Sequence, residues 1–363
     1  MNAESAMPMT GTVQQQFENA RPLLTIAIPT YKRAPFLKEL LTALLGQLER
    51  EPRVELIISD NASPDETPHV VASFVNLGLR VRYLRNDINI GPDANFKQCF
   101  EEARGKYVWI VGDDDIVVPG GLAKILAFLT TGDYALSYLT PYWFRHDYLA
   151  ERRSDRLGRV ARISDGLQFA REAGAMIGFL SSMIVNKDIY CTIPHRPLSG
   201  YEGTNLMQLG WICPLLASKS KYLIVWERLV AGRVDNTSGW GICQVFGVNF
   251  KRIVETALKD REDLAGALVA STLKYWLPGT IMQVRLGKGT GVAENMRSIL
   301  EPVYKTNWRY WVYVYPLVTM PLYLASLWHS MILFSKRFGS LLSAIIALSR
   351  TLLGELLKTT ISA

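Results

Sequence analysis

The sequence predicts an α/β fold, in which a mainly parallel sheet is flanked by helices and is followed by apolar C-terminal helices. Short apolar runs alternate with helical patterns from Leu23 onward, at the spacing of strand–helix–strand units. Polar side chains collect where the apolar runs end, and open parallel sheets bind ligands at that edge. From Trp311 to Phe334 there is no Asp, Glu, Lys or Arg, which sets the C-terminal end apart.

Four strand–helix units make up the first half of the pattern. Strands are predicted over 23–28, 54–58, 80–84 and 107–111, and helices over 36–48, 66–76, 92–104 and 119–129. Later strands are predicted at 134–139, 160–163 and 180–185, and helices at 202–216, 244–260 and 262–300. We therefore divide the chain into a loose tail (1–22), an α/β domain (23–260, with halves 23–130 and 131–260) and a helical C-terminal region (261–363).

Composition excludes a disordered or fibrous protein. Of the 363 residues, 49% are hydrophobic and 20% are charged, which suffices for a large core without disulfides. The four cysteines are scattered singly, so we expect neither a disulfide framework nor a zinc site, and a reducing compartment. The polar N-terminus has no signal-peptide pattern. A net charge of +7 suits a partner rich in phosphate or an anionic lipid surface. The basic residues are dispersed, so no extended nucleic-acid-binding stripe is predicted.

Three consecutive carboxylates, Asp113, Asp114 and Asp115, follow the predicted strand 107–111. Adjacent carboxylates repel one another unless a cation lies among them. On extended backbone, Asp113 and Asp115 point the same way and Asp114 points elsewhere. Hard oxygen ligands suit Mg²⁺ or Mn²⁺, which keeps positions open for substrate phosphates. The triplet predicts a divalent-metal site, and the alternative is a solvated acidic loop that caps the next helix.

Two other strand ends carry residues that suit a nucleotide. Asp60 ends the second predicted strand, where a carboxylate can accept hydrogen bonds from a base or a ribose, although an Asx turn is the simpler alternative. After the first strand, the Tyr31 ring and the cations of Lys32 and Arg33 suit a nucleobase and its phosphates. A surface loop is the alternative for this segment.

Five blocks of sequence, in this order, resemble glycosyltransferase family 2. They are Ile28-Pro29-Thr30-Tyr31-Lys32-Arg33, Ile58-Ser59-Asp60-Asn61-Ala62-Ser63-Pro64-Asp65, Arg85-Asn86-x-x-Asn89-x-Gly91, Gly105-x-Tyr107 and Asp113-x-Asp115. The resemblance covers about residues 22–245, and the segment from Asn89 to Phe96 is similar to an abequosyltransferase-like subgroup that builds O-antigen and capsule repeats. It implies a GT-A fold, with a Rossmann-like sheet. It also implies an inverting, metal-dependent enzyme that transfers a sugar from a nucleotide-diphosphate sugar to a lipid-linked glycan.

The resemblance further implies a role for each matched residue. Pro29, Thr30, Tyr31 and Arg33 line the base pocket, Asp60 binds the base, Gly91 and Asn95 frame the pocket, and Asp113 and Asp114 contact the donor. Asp115, with Asp113 beside it, ligates Mn²⁺ or Mg²⁺ together with the diphosphate. One departure from the family is Ala94, because many members have an arginine at this place.

A general base must accept the proton of the attacking acceptor hydroxyl. The family places this carboxylate about 90 residues after the metal-binding aspartate, and Glu202, flanked by Gly200 and Gly203, matches that spacing. Asp165 and Asp235 are the alternatives, and a contact with a helix N-terminus is the structural reading of Glu202. Trp240 and Trp211 are candidates for stacking on a sugar or for core packing, and His195 is a minor candidate for ligand contact.

Residues 310–358 are expected to associate with a membrane. An apolar stretch is followed by an amphipathic one, with Lys336-Arg337 between them, as in an interfacial or re-entrant anchor. A single span and a helical hairpin packed on the protein remain alternatives. The anchor predicts a peripheral or monotopic protein at the cytoplasmic face of the inner membrane, and an oligomer is possible.

Two other classes of function stay open at this point. A nucleotidyltransferase also combines a metal with a nucleotide, although the glycine-rich phosphate loop that it usually carries is missing here. A membrane-anchored sugar or nucleotide binder would use the same pocket without catalysis. Among donors UDP is expected from family frequency, and CDP and dTDP remain open.

Overall fold

A computed structural model of the chain describes residues 21–49, 51–152, 158–194, 197–234, 239, 241–288 and 294–334. Its strands are β1 (Leu24–Thr30), β2 (Val54–Asp60), β3 (Arg82–Arg85), β4 (Tyr107–Ile110), β5 (Ile116–Val117), β6 (Tyr134–Leu139), β7 (Tyr142–Phe144), β8 (Val160–Ile163), β9 (Met183–Asn186), β10 (Lys221–Val225) and β11 (Val230–Arg233).

The helices lie between and after these strands. They are α1 (Ala34–Leu48), α2 (Thr67–Asn76), α3 (Pro92–Glu102), α4 (Gly121–Leu129), α5 (Gly166–Ala173), α6 (Lys187–Thr192), α7 (Leu209–Ala217), α8 (Phe250–Ala257), α9 (Glu262–Ser271), α10 (Leu277–Arg285), α11 (Met296–Tyr304) and α12 (Tyr315–Thr319). Short 3₁₀ turns span Gly174–Gly178, Leu180–Ser182 and Leu198–Tyr201, and π-helical turns span Cys243–Asn249, Thr272–Trp276 and Tyr310–Val314. Residues 322–334 are also helical.

The large sheet has the strand order β3-β2-β1-β4-β9-β6-β10-β8. Its strands run parallel except β9 and β8, which are antiparallel to their neighbours. The parallel register places Thr30 beside Asp60. Consequently the carboxyl ends of β1, β2 and β4 lie at the same edge as the start of β9, and the mainly parallel α/β sheet expected from the sequence is confirmed.

The residues of β1 explain why this strand lies in the centre. All seven are buried, and Leu24, Ile26 and Ile28 point to one face while Ala27 points to the other. The first face packs against α1, whose buried leucines include Leu37 and Leu41. Burial of each such leucine contributes roughly 1.5–3 kcal/mol, which holds the strand end in place.

The small sheet has the order β5-β11-β7 and lies next to the acidic triplet. Its strands are short, and β5 has only two residues, so the sequence pattern predicted none of them. Helix α7 also differs from its predicted range, because it begins at Leu209 and a 3₁₀ turn and irregular backbone occupy 198–208.

The helices after residue 260 pack on the same core as the second half of the domain. Leu300, Tyr304, Tyr310 and Leu317 are fully buried, and the Tyr304 hydroxyl donates to the Gly247 carbonyl at 2.6 Å. In the helix 322–334, by contrast, several apolar side chains are exposed. Of the residues that the structure describes, none belongs to a helix long and apolar enough to cross a bilayer. Residues 335–358 of the expected anchor lie outside the described part.

Candidate active site

The acidic triplet lies in a tight turn after β4. The Asp115 N–H donates to the Gly112 carbonyl at 3.1 Å, so Asp113 and Asp114 occupy the centre of the turn. The extended backbone expected for these residues is therefore wrong. The turn sends Asp113 and Asp115 to different partners, although both side chains are buried.

Asp113 contacts the end of β1. Thr30 Oγ1 donates to Asp113 Oδ2 at 2.8 Å, and Arg33 Nη1 donates to Asp113 Oδ1 at 3.1 Å. The same Arg33 nitrogen lies 3.7 Å from Asp114 Oδ1. Pro29, buried in β1, pairs with Ser59 of β2. The predicted donor-binding segment 29–33 and the acidic triplet thus form one connected cluster.

Asp115 contacts residues from the second half of the domain. Ser181 Oγ donates to Asp115 Oδ2 at 2.5 Å and accepts from the Gly112 N–H at 2.8 Å. The Arg233 N–H at the end of β11 donates to Asp115 Oδ1 at 3.1 Å, and its guanidinium binds Glu39. Sequence reasoning missed Ser181, Arg233 and Glu39. Strand pairing brings Ser181 and Arg233 to Asp115 from distant parts of the chain, and Glu39, on α1, binds the Arg233 guanidinium.

The charges of the triplet are incompletely balanced. Burial, followed by repulsion from Asp114, raises the pKa of both Asp113 and Asp115, although Arg33 opposes this at Asp113 and Ser181 opposes it at Asp115. A bound divalent cation would offset both the burial of these carboxylates and their mutual repulsion. Within the described ranges, no group of three or more His, Cys, Asp or Glu side chains forms a metal cage. The oxygen atoms of Asp113 and Asp115 suit Mn²⁺ or Mg²⁺, and the remaining ligands of such an ion would come from a substrate.

Asp60 and Asn61 organise the neighbouring strand end. Asp60 is fully buried, accepts from the Ser63 N–H at 2.8 Å and the Tyr83 hydroxyl at 2.5 Å, and lies 3.4 Å from Arg85 Nε. Burial, with the Asp60 charge as a further cause, raises the pKa of Tyr83. Asp60 therefore holds its own turn through the Ser63 N–H, three residues on and not two as in an Asx turn, and contact with a base remains a prediction.

Gly91 and Asn95 adjoin this strand end. Asn61 Nδ2 donates to the Gly91 carbonyl at 3.1 Å, and Gly91 has a φ of 84°, which glycine adopts without strain. Asn95 is buried and exchanges hydrogen bonds with Ser59, through its Oδ1 at 2.6 Å and its Nδ2 at 3.0 Å. These two predicted pocket residues hold the strand end and the start of α3 together.

Tyr31 is the aromatic group of the cluster. Its ring is partly buried, Lys32 Nζ lies 5.1 Å from the ring centroid, and a hydrogen bond with Asn89 lowers the pKa of its hydroxyl. Lys32 has a φ of 57°, and its N–H donates to Ser63 Oγ at 3.0 Å. The Lys32 backbone is thereby held in a left-handed turn next to Ser63.

Glu202 lies in the irregular segment 202–208, not at the N-terminus of a helix. Its side chain is exposed and forms no hydrogen bond or ion pair within the described ranges. The segment is fixed by Gln208, which donates to the Gly178 carbonyl at 2.5 Å, and by Asp93 at the start of α3. Since α3 starts at the edge where β2 and β4 end, Glu202 belongs to the same edge as the acidic triplet.

The structure places two of the other candidate residues, Asp165 and Trp211, away from the edge that carries the acidic triplet. Asp165 follows β8, which is antiparallel to β10, so it lies at the opposite edge of the sheet, where it caps α5 by accepting from the Leu167 N–H at 3.0 Å. Trp211 is a core residue that stacks on Phe100 at 4.5 Å. Three further candidates, Asp235, Trp240 and His195, lie outside the described residues.

The fold is the GT-A fold found in glycosyltransferases. The chain is similar to Staphylococcus aureus TarS 1–349 in complex with UDP, over 87% of this chain and 91% of that one, with a TM-score of 0.54 and 13% identity. It is also similar to the mannosyltransferase PcManGT from Pyrobaculum calidifontis in complex with GDP-Man and Mn²⁺, over 85% and 87% of the two chains, with a TM-score of 0.50 and 15% identity. At this identity the likeness concerns the fold.

Residues 25–190 match the family described as glycosyl transferase family 2, so this part of the chain is a domain of that family of enzymes. The family expected from the five sequence blocks is confirmed. The chain is 32% identical over 198 residues to abequosyltransferase RfbV of Salmonella typhimurium (strain LT2), which is 50% of this chain and 58% of that protein.

A second relative is the GalNAc(5)-diNAcBac-PP-undecaprenol beta-1,3-glucosyltransferase of Campylobacter jejuni. It is 28% identical over 106 residues, or 29% of this chain and 34% of that protein. The chain thus spans about a third to three-fifths of the length of these relatives.

Proposed function

We propose that the protein is an inverting, metal-dependent glycosyltransferase that moves a sugar from a nucleotide-diphosphate sugar to a lipid-linked glycan during O-antigen or capsule synthesis. The observation that carries the proposal is the cluster of Thr30, Arg33, Asp113 and Asp115 at one sheet edge. A relative named as an undecaprenol-linked glucosyltransferase and another named as an abequosyltransferase support this substrate class.

The donor nucleotide occupies the end of β1. Tyr31 supplies a ring for stacking on the base, and Arg33 supplies a cation for the phosphates. Asp113, oriented by Thr30, accepts from a ribose hydroxyl. UDP is the proposed carrier, because the TarS structures that share this fold hold UDP and UDP-GlcNAc, and CDP and dTDP are the alternatives.

Asp115 and Asp113 are the proposed ligands of Mn²⁺ or Mg²⁺. Each carboxylate already accepts hydrogen bonds, which fix its orientation and leave lone pairs for a cation. When bound, the ion supplies positive charge next to the departing diphosphate.

Glu202 is the proposed general base. The acceptor hydroxyl oxygen forms a bond to the anomeric carbon, its proton passes to the Glu202 carboxylate, and the bond from the anomeric carbon to the diphosphate oxygen breaks. The nucleoside diphosphate leaves with the bonding electron pair. Such assistance contributes about 10²–10⁴-fold in rate.

The acceptor enters through the cleft next to Glu202. This cleft, of about 440 Å³, lies between the segment 197–201 and α8 and is lined by Ser199, Tyr201, Arg252 and Ile253. In the described part of the chain, Arg252 has no hydrogen-bond or ion-pair partner. An unpaired guanidinium on a partly apolar cleft suits the diphosphate and first sugars of a lipid-linked glycan.

We further propose that the protein is peripheral or monotopic at the cytoplasmic face of the inner membrane, and the exposed side of the helix 322–334 supports the membrane contact. Tyr323, Leu327, Met331 and Phe334 are 62–69% exposed and follow one another at helical spacing on one side. Trp308 and Trp311 are exposed nearby, and tryptophan favours the membrane–water interface. An exposed apolar stripe of this kind suits interfacial binding.

The test begins with thermal shifts of the full chain in UDP, CDP, dTDP and GDP, each with Mn²⁺ or with EDTA. A ligand that binds the native state raises the melting temperature, so one nucleotide should do so only with Mn²⁺. Sugars on that nucleotide are then offered with an undecaprenyl-diphosphate glycan. Glycosylated lipid and free nucleoside diphosphate are the expected products.

Two results of this test would contradict the proposal. Release of pyrophosphate would indicate a nucleotidyltransferase, and nucleotide binding without turnover for any sugar would indicate a binder. Glu202→Gln should lower transfer about 10²–10⁴-fold, whereas Glu172→Gln, an exposed glutamate on α5, should not.

A further inference from the structure

Asp93, the second residue of α3, is a buried carboxylate with no role in the reaction described above. Only 4% of its surface is exposed. It does not cap its own helix, and it forms no ion pair in the described part of the chain. Burial raises its pKa, and backbone N–H groups oppose that effect. Burying a carboxylate without a cation costs free energy, so the backbone N–H groups that bind Asp93 decide whether its charge is stabilised.

Those partners belong to the segment that carries Glu202. The Asn205 N–H donates to Asp93 Oδ2 at 2.9 Å, and the Met207 N–H donates to Asp93 Oδ1 at 3.3 Å. The N–H groups of Gly203 and Thr204 also face the carboxylate. These contacts join positions more than 110 residues apart, between the two halves of the domain.

The backbone of the segment is bent around this carboxylate. Gly203 has a φ of 74° and Asn205 a φ of 57°, so consecutive N–H groups turn inward and form an anion-binding nest. For Asn205 this conformation is uncommon, and it persists only when surrounding contacts hold it. Asp93 is the charged group inside the nest.

The other side of Asp93 is tied to the donor pocket. It lies between Gly91, which is bound by Asn61, and Asn95, which is bound by Ser59. Ser59 and Asn61 flank Asp60 at the end of β2. Hydrogen bonds at Gly91 and Asn95 therefore fix the start of α3 on the donor-binding strand end, and Asp93, between them in the chain, binds the backbone next to Glu202.

We propose that Asp93 is a positioning residue that holds the Glu202 segment in register with the donor site. The inference rests on the proposed function, because it assigns Glu202 to the acceptor side of the reaction. Asp93 touches neither substrate. It acts by fixing 203–207, and thereby the place of the base relative to the bound sugar.

Hydrogen exchange of the full chain tests the tether without any substrate. Asp93→Asn removes the negative charge. It also places an NH₂ donor among backbone N–H donors, where the side chain finds no acceptor for it. Amides 203–207 should exchange at least about tenfold faster, while those of β1 stay unchanged. Asp165→Asn is the matched control, since Asp165 also accepts a backbone N–H but at the opposite sheet edge. Unchanged exchange at 203–207 would overturn the inference.

Kinetics then separate positioning from folding. Asp93→Asn should lower kcat about 10–100-fold, with the KM for the nucleotide sugar and the Mn²⁺-dependent shift by UDP within twofold of wild type. Asp165→Asn, at the opposite sheet edge, is again the control and should retain kcat. If Asp93→Asn keeps the wild-type kcat while Glu202→Gln loses activity, the positioning role of Asp93 is wrong and the proposed function stands.

If Glu202→Gln keeps wild-type activity, Glu202 is not the general base. If Asp93→Asn does not fold, Asp93→Glu, which keeps the charge but displaces it, replaces it in both measurements.

Discussion

Ser181 Oγ donates a hydrogen bond to Asp115 Oδ2 at 2.5 Å, across 66 residues of sequence. The same oxygen accepts from the Gly112 N–H at 2.8 Å, so one hydroxyl orients both the carboxylate and the turn that carries it. Strand β9, which begins at Met183, brings Ser181 there by pairing antiparallel with β4. The acidic triplet is thus held from both halves of the domain.

Ser181→Ala should impair catalysis more than folding. It leaves Asp115 Oδ2 without its Ser181 donor and the Gly112 N–H without its side-chain acceptor, at a cost of about 1–3 kcal/mol in unfolding free energy. We expect turnover to fall about tenfold or more. Ser182→Ala is the matched control, because Ser182 Oγ donates to the Met176 and Phe179 carbonyls and has no contact with Asp115. Equal turnover in the two variants would contradict this role of Ser181.

Asp115→Ala should abolish transfer while the fold remains intact. Loss of a carboxylate that holds the cation next to the diphosphate is expected to lower the rate about 10³-fold or more. It should also remove the Mn²⁺-dependent part of the thermal shift by the nucleotide. The far-UV circular dichroism should match wild type. Turnover at the wild-type rate, or undiminished activity of the wild type in EDTA, would refute the metal assignment.

The exposed stripe on helix 322–334 should bind anionic lipid. Leu327→Glu combined with Met331→Glu places two charges on it and should abolish flotation with phosphatidylglycerol vesicles. Leu77→Glu is the control, since Leu77 is equally exposed, at 65%, but lies at the end of α2. Undiminished flotation of the double variant would argue against a membrane role for this helix.

Arg252→Ala should raise the KM for the lipid-linked acceptor and leave the KM for the donor unchanged. A charge-assisted contact to a phosphate contributes about 1.5–3 kcal/mol, which corresponds to a rise of roughly 10–100-fold. Lys259→Ala removes an exposed cation just beyond α8 and should have no such effect. An unchanged acceptor KM in Arg252→Ala would exclude this cleft as the diphosphate site.

Glu227 should make stability dependent on pH. It is buried, and desolvation alone would raise its pKa, but Lys124, the Gly158 N–H and Arg152 together hold that pKa below its ordinary value. A lowered folded pKa stabilises the fold above the unfolded value of about 4.3, and the contribution is lost as pH falls through the folded pKa.

Glu227→Gln should therefore lower the unfolding free energy by about 1–3 kcal/mol at pH 7, and this difference should shrink below about pH 4. Denaturant titrations at both pH values measure it. Glu172→Gln, on an exposed surface, serves as the control and should change little at either pH. A difference that stays constant with pH would show that the ion pairs of Glu227 do not stabilise the fold.

Local sequence patterns predicted the first half of the fold closely. The strand expected at 54–58 is observed at Val54–Asp60, and the helix expected at 36–48 is observed at Ala34–Leu48. These elements are continuous runs with strong apolar periodicity, so their own residues specify them. Strand β10 and the short strands β5, β7 and β11 were missed, because pairing with distant strands stabilises them more than local propensity does.

The sequence by itself determined that the chain contains an α/β domain with polar strand ends and that residues 25–190 match glycosyl transferase family 2, because strand periodicity and residue order are local properties. The tertiary structure alone decided which groups meet there: Ser181 and Arg233 on Asp115, Thr30 on Asp113, and the Asn205 and Met207 N–H groups on Asp93. Each of these contacts closes a loop of many residues. Its partner is selected by the register of the strands and the packing of the helices, which no local pattern encodes.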